Sequence, residues 1–177
     1  MRLGMKHFVV AAVVIGAVTG CTLATDGTGS DGAKSTSTAA AGGTQGKVGQ
    51  QLTLTDSTGD SAQATVVSVV DQKSGKTDTD LAPANGQYAV ITVQIKGVKG
   101  SFDVNPLNVQ YQAADGKTYD ETAGNGITSG YDPQLPSGPV AAGASTGGVV
   151  VVDVPAGAAK SVKLTDALGA VLGTWTP

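Results

Sequence analysis

The chain has 177 residues, 40% of them apolar, and carries eleven Lys and Arg against fourteen Asp and Glu, for a net charge of −3. That length suits one domain. An acidic chain with so little arginine makes a poor partner for nucleic acid or anionic headgroups, which are recognised through Lys/Arg patches. Its one cysteine, Cys21, leaves no disulfide within the chain, so a fold in an oxidising compartment has to rely on its core.

The N-terminus reads as an export signal. Arg2 and Lys6 precede an apolar run over 8–18, FVVAAVVIGAV. A membrane-spanning helix needs roughly 20 such residues, and this run has instead the length of a secretory h-region. Val18, Thr19, Gly20 and Cys21 follow it and resemble the bacterial lipobox. Small residues before the cysteine let extended backbone reach a protease in the membrane plane while the thiol takes a diacylglyceryl group. The expectation is a lipoprotein signal peptide over 1–20, removed so that the mature chain begins at Cys21. The acyl chains on that residue would hold it to the outer face of the cell membrane, since two or more chains anchor firmly where one does not. The alternative is a buried cysteine that happens to follow an apolar run.

Residues 22–46 are a low-complexity run of Gly, Ser, Thr, Ala and Asp without an aromatic residue. Such a segment cannot bury enough apolar surface to offset its ordering entropy. With Cys21 it is expected to form a flexible tether, 21–46, spanning roughly 25–30 Å. The run Ser35–Thr38 is of the kind that carries O-linked sugar in stalks; a bare spacer is the alternative.

From Lys47 to the end the texture is that of strands, and 47–177 is expected to be the folded domain. QQLTLTD over 50–56 alternates, with Leu52 and Leu54 on one face. QATVVSVVDQ over 63–72 is valine-rich. In 87–98, Ala89, Ile91, Val93 and Ile95 share the better core face, and Tyr88, Val90, Thr92 and Gln94 the other. Asp115-Gly116 inside 107–121 signals a two-residue hairpin turn. GGVVVVDVP over 147–155 reads as a buried strand closed by Pro155, and 160–177 as a last hairpin turning near Leu168-Gly169. Strands at this spacing, with almost no helical period, predict an all-β, antiparallel sandwich. The stretches 74–86 and 122–140 become long end loops, where binding residues usually sit on a rigid scaffold.

Chemistry is defined here mostly by what is missing. His7, Arg2 and both methionines fall in the leader; from Lys47 onward, eight lysines against eleven aspartates and one glutamate, Glu121, leave −4. GASTG over 143–147 matches the serine-esterase pattern G-x-S-x-G. Yet Ser145 has no histidine to take its proton, only Lys160 or Lys163 as conceivable bases, and the motif leads into a strand instead of a helix. A glycine-rich turn into a strand is the better reading. Zinc and copper lack ligands. Calcium could use Asp78 and Asp80, or Asp115, Asp120 and Glu121, but turn and surface roles are favoured for these. No metal or cofactor is therefore expected. Asp78, Asp80, Tyr131 and Asp132 remain as a candidate binding loop, with Tyr131 a contact anchor or a ring folded back over the sandwich end.

GKVGQQLTLTD at the start of the domain, NPLNVQYQAADGKTY in its middle, GASTGGVVVVDVP late and WTP at the end occur in that order. The chain in this respect resembles the immunoglobulin-like secreted antigens of mycobacteria and the related extracellular domain of many Gram-positive lipoproteins. The likeness spans most of 46–177. It implies an immunoglobulin-like sandwich without disulfide, an actinobacterial source, and no catalytic residues. The lipobox cysteine and long tether depart from antigens that are released. The expected function is a lipid-anchored, cell-surface binding protein without catalytic activity, its partner an envelope or host protein met through end loops or an open sheet edge. The alternatives are a small-ligand or lipid-binding envelope lipoprotein and, last, a hydrolase using Ser145.

Overall fold

The computed structural model describes residues 43–177. The expected leader, its Val18-Thr19-Gly20 and Cys21, and the expected tether as far as residue 42 lie outside the described residues. The strands are β1 (Thr44–Lys47), β2 (Gln51–Thr55), β3 (Ser61–Gln72), β4 (Gln87–Lys99), β5 (Ser101–Val104), β6 (Val109–Ala113), β7 (Thr118–Tyr119), β8 (Gly138–Ala141), β9 (Ser145–Val154), β10 (Ala159–Thr165) and β11 (Val171–Thr176). The only helical elements among the described residues are two single 3-10 turns, Pro106–Asn108 and Gly126–Thr128. No helix there is long and apolar enough to cross a membrane.

One sheet has the order β1-β11-β10-β6-β7, a second β2-β3-β4-β9, and β5 with β8 makes a small ribbon. Pairing is antiparallel except for β1, which runs parallel to β11. The expected core face of β4 is the one that packs: Ala89, Ile91, Val93 and Ile95 are buried against Leu54, Val150, Val152, Val162 and Trp175 in one cluster fed by both sheets. Trp175 donates from Nε1 to the Gln50 carbonyl at 2.9 Å, so its polar atom is satisfied. Tyr111 is fully buried and donates its hydroxyl to the Gly157 carbonyl at 3.2 Å. Burial first, and the charge of Asp71 second, push that hydroxyl up to about 12.

Two expectations are corrected. The folded part starts at Thr44, ahead of the boundary placed at Lys47, because Thr44, Gln45 and Gly46 pair with Gly173, Thr174 and Trp175. Side chains too small and polar to suggest a strand are placed there by backbone pairing; Thr44 Oγ1 also bonds the carbonyls of Thr53 and Leu172. The hairpin after β6 is not a two-residue turn. Gly116 N–H bonds the Ala113 carbonyl and Ala113 N–H the Lys117 carbonyl, so the turn is centred one residue earlier, with Gly116 at φ +89°. The same three-residue loop, with glycine last at positive φ, joins β2 to β3 (Gly59, φ +87°) and β10 to β11 (Gly169, φ +83°).

Candidate functional site

The long loop between β3 and β4 and the segment that runs from β7 to β8 meet over one end of the β2-β3-β4-β9 sheet. They cover its outer face, not its core. There the rows Gln72–Tyr88–Asp153 and Val70–Val90–Val151 cross the sheet. Tyr88, Val90 and Val151 are buried with Tyr131 packed on them, a second apolar cluster outside the main core. The two tyrosine rings meet edge to face at 6.5 Å between centroids, and Lys76 Nζ stands 5.6 Å from the Tyr131 ring centre.

Asp153 holds the two loops together. It is fully buried, and its carboxylate accepts from the backbone N–H of Ala84 at 2.6 Å, Asn85 at 2.8 Å and Asn125 at 2.9 Å. Both asparagines close the arrangement: Asn85 Nδ2 donates to the Asp153 carbonyl at 3.1 Å and Asn125 Nδ2 to the Ala82 carbonyl at 2.9 Å. The tyrosines tie in the remaining loop carbonyls, Tyr88 to Leu81 at 2.9 Å and Tyr131 to Ser74 at 3.2 Å. Burial pushes both hydroxyls above their ordinary value, helped at Tyr88 mainly by the charge of Asp153 and at Tyr131 by that of Asp80.

Of the four residues expected in a binding loop, the structure brings together Asp80 and Tyr131. Asp80 accepts from Thr77 N–H and Oγ1, both at 2.7 Å, and so closes its own turn. Tyr131 is the folded-back ring of the two options, half-buried on Tyr88. Asp78 and Asp132 stay exposed, Asp132 before a cis Pro133. The second acidic group is likewise engaged locally: Asp115 accepts from Lys117 N–H at 3.0 Å, and Asp120 from Thr122 N–H at 2.9 Å and from its Oγ1 at 2.6 Å. Among the described residues no three His, Cys, Asp or Glu side chains are grouped to hold a metal.

Ser145 is the exposed first residue of β9. Lys160 and Lys163 lie on β10 of the other sheet. The lysine beside Ser145 is Lys96, its cross-strand partner, but no hydrogen bond joins them and both are open to water. This arrangement lacks the base contact that would make a hydroxyl nucleophilic.

The other half of the same outer face is open. A shallow groove of about 710 Å³ runs over it, lined by Gln51, Gln63, Thr65, Gln94, Lys96 and the start of β9. A smaller one of about 210 Å³ separates Pro136–Val140 from Ala144–Thr146. Sequence reasoning did not single out Asp153, Asn85, Asn125 or this polar face. One signal was available: in VVVVDVP the alternation puts Asp153 on the face opposite Val150, Val152 and Val154.

Two sheets closed on one core, with loops folded over an outer face and no disulfide, define an immunoglobulin-like β-sandwich. The chain belongs to the family described as "Domain of unknown function (DUF4352)", whose model matches residues 52–169. Among solved structures it is similar to MPT63, a secreted protein from Mycobacterium tuberculosis, with a TM-score of 0.56 and 22% identity over 76% of this chain and 98% of that one. The expected resemblance to mycobacterial immunoglobulin-like antigens thus holds in the fold. No curated protein matches the chain.

Proposed function

We propose that the protein is an exported, lipid-anchored surface domain that acts by binding, without catalysis. The observation that carries this reading is the state of the loop end. The carboxylates of Asp80 and Asp153, the amides of Asn85 and Asn125 and the hydroxyls of Tyr88 and Tyr131 are all engaged with backbone groups, which leaves a rigid scaffold where a reactive site would need free groups. Export is supported by the fold shared with a secreted mycobacterial protein. Anchoring rests on Val18-Thr19-Gly20-Cys21 after a short apolar run. Residues 22–43 separate that cysteine from the first strand, enough chain to carry the domain about 25 Å from the headgroups. The apolar-ligand alternative is weakened by the packing, since Leu54, Ile91, Ile95, Val152 and Trp175 fill the space between the sheets.

Growth with a clickable fatty acid tests the anchor. The wild-type chain should take up label and stay with the membrane, and Cys21→Ser should lose label and appear in the medium; label retained by that variant would overturn the anchor. Proximity labelling on the same cells tests binding, with a recurrent neighbour expected for the wild type and lost with the released variant.

A further inference from the structure

The edge of β9 is closed along part of its length and open along the rest. At Val149 the segment after Tyr131 lies beside it as a short parallel addition: Val149 N–H bonds the Pro133 carbonyl at 2.8 Å and Leu135 N–H the Val149 carbonyl at 2.9 Å. Further along, Asp153 receives Asn85 Nδ2 on its carbonyl. Since Val149 turns its N–H and C=O away from β4, strand alternation turns those of Gly147 and Ser145 the same way. No described residue bonds them. Two residues therefore present a donor and an acceptor each, at a glycine-rich stretch with little side chain to shield them.

What faces that edge narrows its ligand. The 210 Å³ groove has Ser145 and Thr146 on one wall and Pro136 to Val140 on the other. Pro136 and Pro139 have no N–H to offer, so that wall cannot itself close the edge by donating from those positions. Lys96 lies directly across from Ser145 and is the only charged residue lining either groove. The one salt bridge among the described residues is Lys117 with Asp115, so Lys96 has no carboxylate partner there. In a domain of net −4 this is a local positive point beside unpaired backbone.

The geometry points to a peptide slot: the Ser145–Gly147 edge of β9 takes an extended, acidic segment of a protein partner by strand addition, its carboxylate meeting Lys96. Backbone pairing would supply the affinity, and Lys96 the preference for acidic sequence. This rests on the reading of the protein as a binding domain and names the place and the partner class.

The test uses the whole chain, nitrogen-15 labelled, titrated with three synthetic octapeptides: alternating Thr and Val with a central Asp, the same with Lys, and the Asp peptide N-methylated throughout. The Asp peptide should shift the Ser145 and Gly147 amides and leave Lys117 unmoved. The Lys peptide should bind about two- to five-fold more weakly, the scale of one exposed ion pair, and the N-methylated one not at all. Lys96→Glu should reverse the preference, and Ser145→Pro should remove binding. Shifts confined to other residues, no shift at millimolar peptide, equal binding of the N-methylated peptide, or an unchanged preference in Lys96→Glu would each overturn the slot. The N-methylated peptide probes the wild-type protein, so the test stands even if Ser145→Pro fails to fold. A failed slot leaves the binding-domain reading intact, because that reading is decided by the proximity labelling of the anchored protein.

Discussion

The outer face of the β2-β3-β4-β9 sheet has two halves, and the same three strands, β3, β4 and β9, run through both to opposite ends. Toward Tyr88 and Asp153 it is apolar and roofed by loops; toward Gln94 and Ser145 it is polar and bare. The strands do not change character midway in backbone terms, since β3, β4 and β9 pair through both halves. What differs is the outward residue in each row. Val90 and Val151 are apolar and buried under the loops, with Val70 at the end of their row left exposed, and Thr65, Gln94 and Gly147 form a row that water satisfies. A sheet face is thus roofed or left to water row by row.

Substitutions can break this division, beginning where the roof is pinned. Asp153→Ala removes the acceptor from three loop N–H groups. At about 1–3 kcal/mol for each buried donor left unpaired, and with some donors regaining water, urea unfolding should show a loss of about 3–4 kcal/mol. Hydrogen exchange at Ala84, Asn85 and Asn125 should speed up with it. A loss below about 1 kcal/mol would mean the roof stays down without its pin. Gly124→Ala should cost less, about 1–2 kcal/mol. Gly124 sits at φ +52°, and a Cβ there would run into the Asp153 carboxylate.

Glu121 gives a smaller, pH-dependent effect at the margin of the roof. Burial, then the charge of Asp120, hold its carboxyl above its ordinary value. A carboxyl shifted that way binds its proton more tightly in the folded state, so stability falls as pH rises through its titration range. Glu121→Gln should therefore be more stable than wild type at pH 7, with the advantage gone near pH 3, where both states of the wild type are protonated. Thermal melts at the two pH values read the difference; an equal gain at both would point to packing instead of charge. The bare half should respond least. Gln94→Ala and Thr65→Ala are expected to stay within about 0.5 kcal/mol of wild type, and a larger loss in chemical denaturation would show that this half, too, is structural.

The sequence carried the inner side of this sheet well and its outer side poorly. Ala89, Ile91, Val93 and Ile95 point inward as their alternation requires, and GASTG opens a strand with no base for its serine. Tyr88 is packed, as an aromatic ring in a strand pattern leads one to expect, but Val90 on the weaker face is buried as well, because the cover comes from loops far along the chain, which periodicity within β4 cannot register. Asp153 is the same problem in a sharper form. In VVVVDVP it looks like any surface aspartate, and only the arrival of Ala84, Asn85 and Asn125 makes it a structural anchor. Asp80 and Tyr131 do lie in the end loops, but Asp80 closes its own turn and the Tyr131 ring packs down on Tyr88 of β4. β1 was hidden because a parallel partner at the far end of the chain, β11, decides it.

That parallel pairing has a mechanical consequence. A pull on the N-terminal end of the domain enters the fold at Thr44, along the axis of β1. Its ladder to β11, extended by Val48 N–H on the Thr176 carbonyl at 2.8 Å, lies across that axis. Such a load shears the bonds together instead of peeling them one by one, while the turn at Lys47–Gln50 hands the remaining tension to β2. Four unremarkable residues therefore act as the grip through which drag on the domain is transmitted to the rest of the chain.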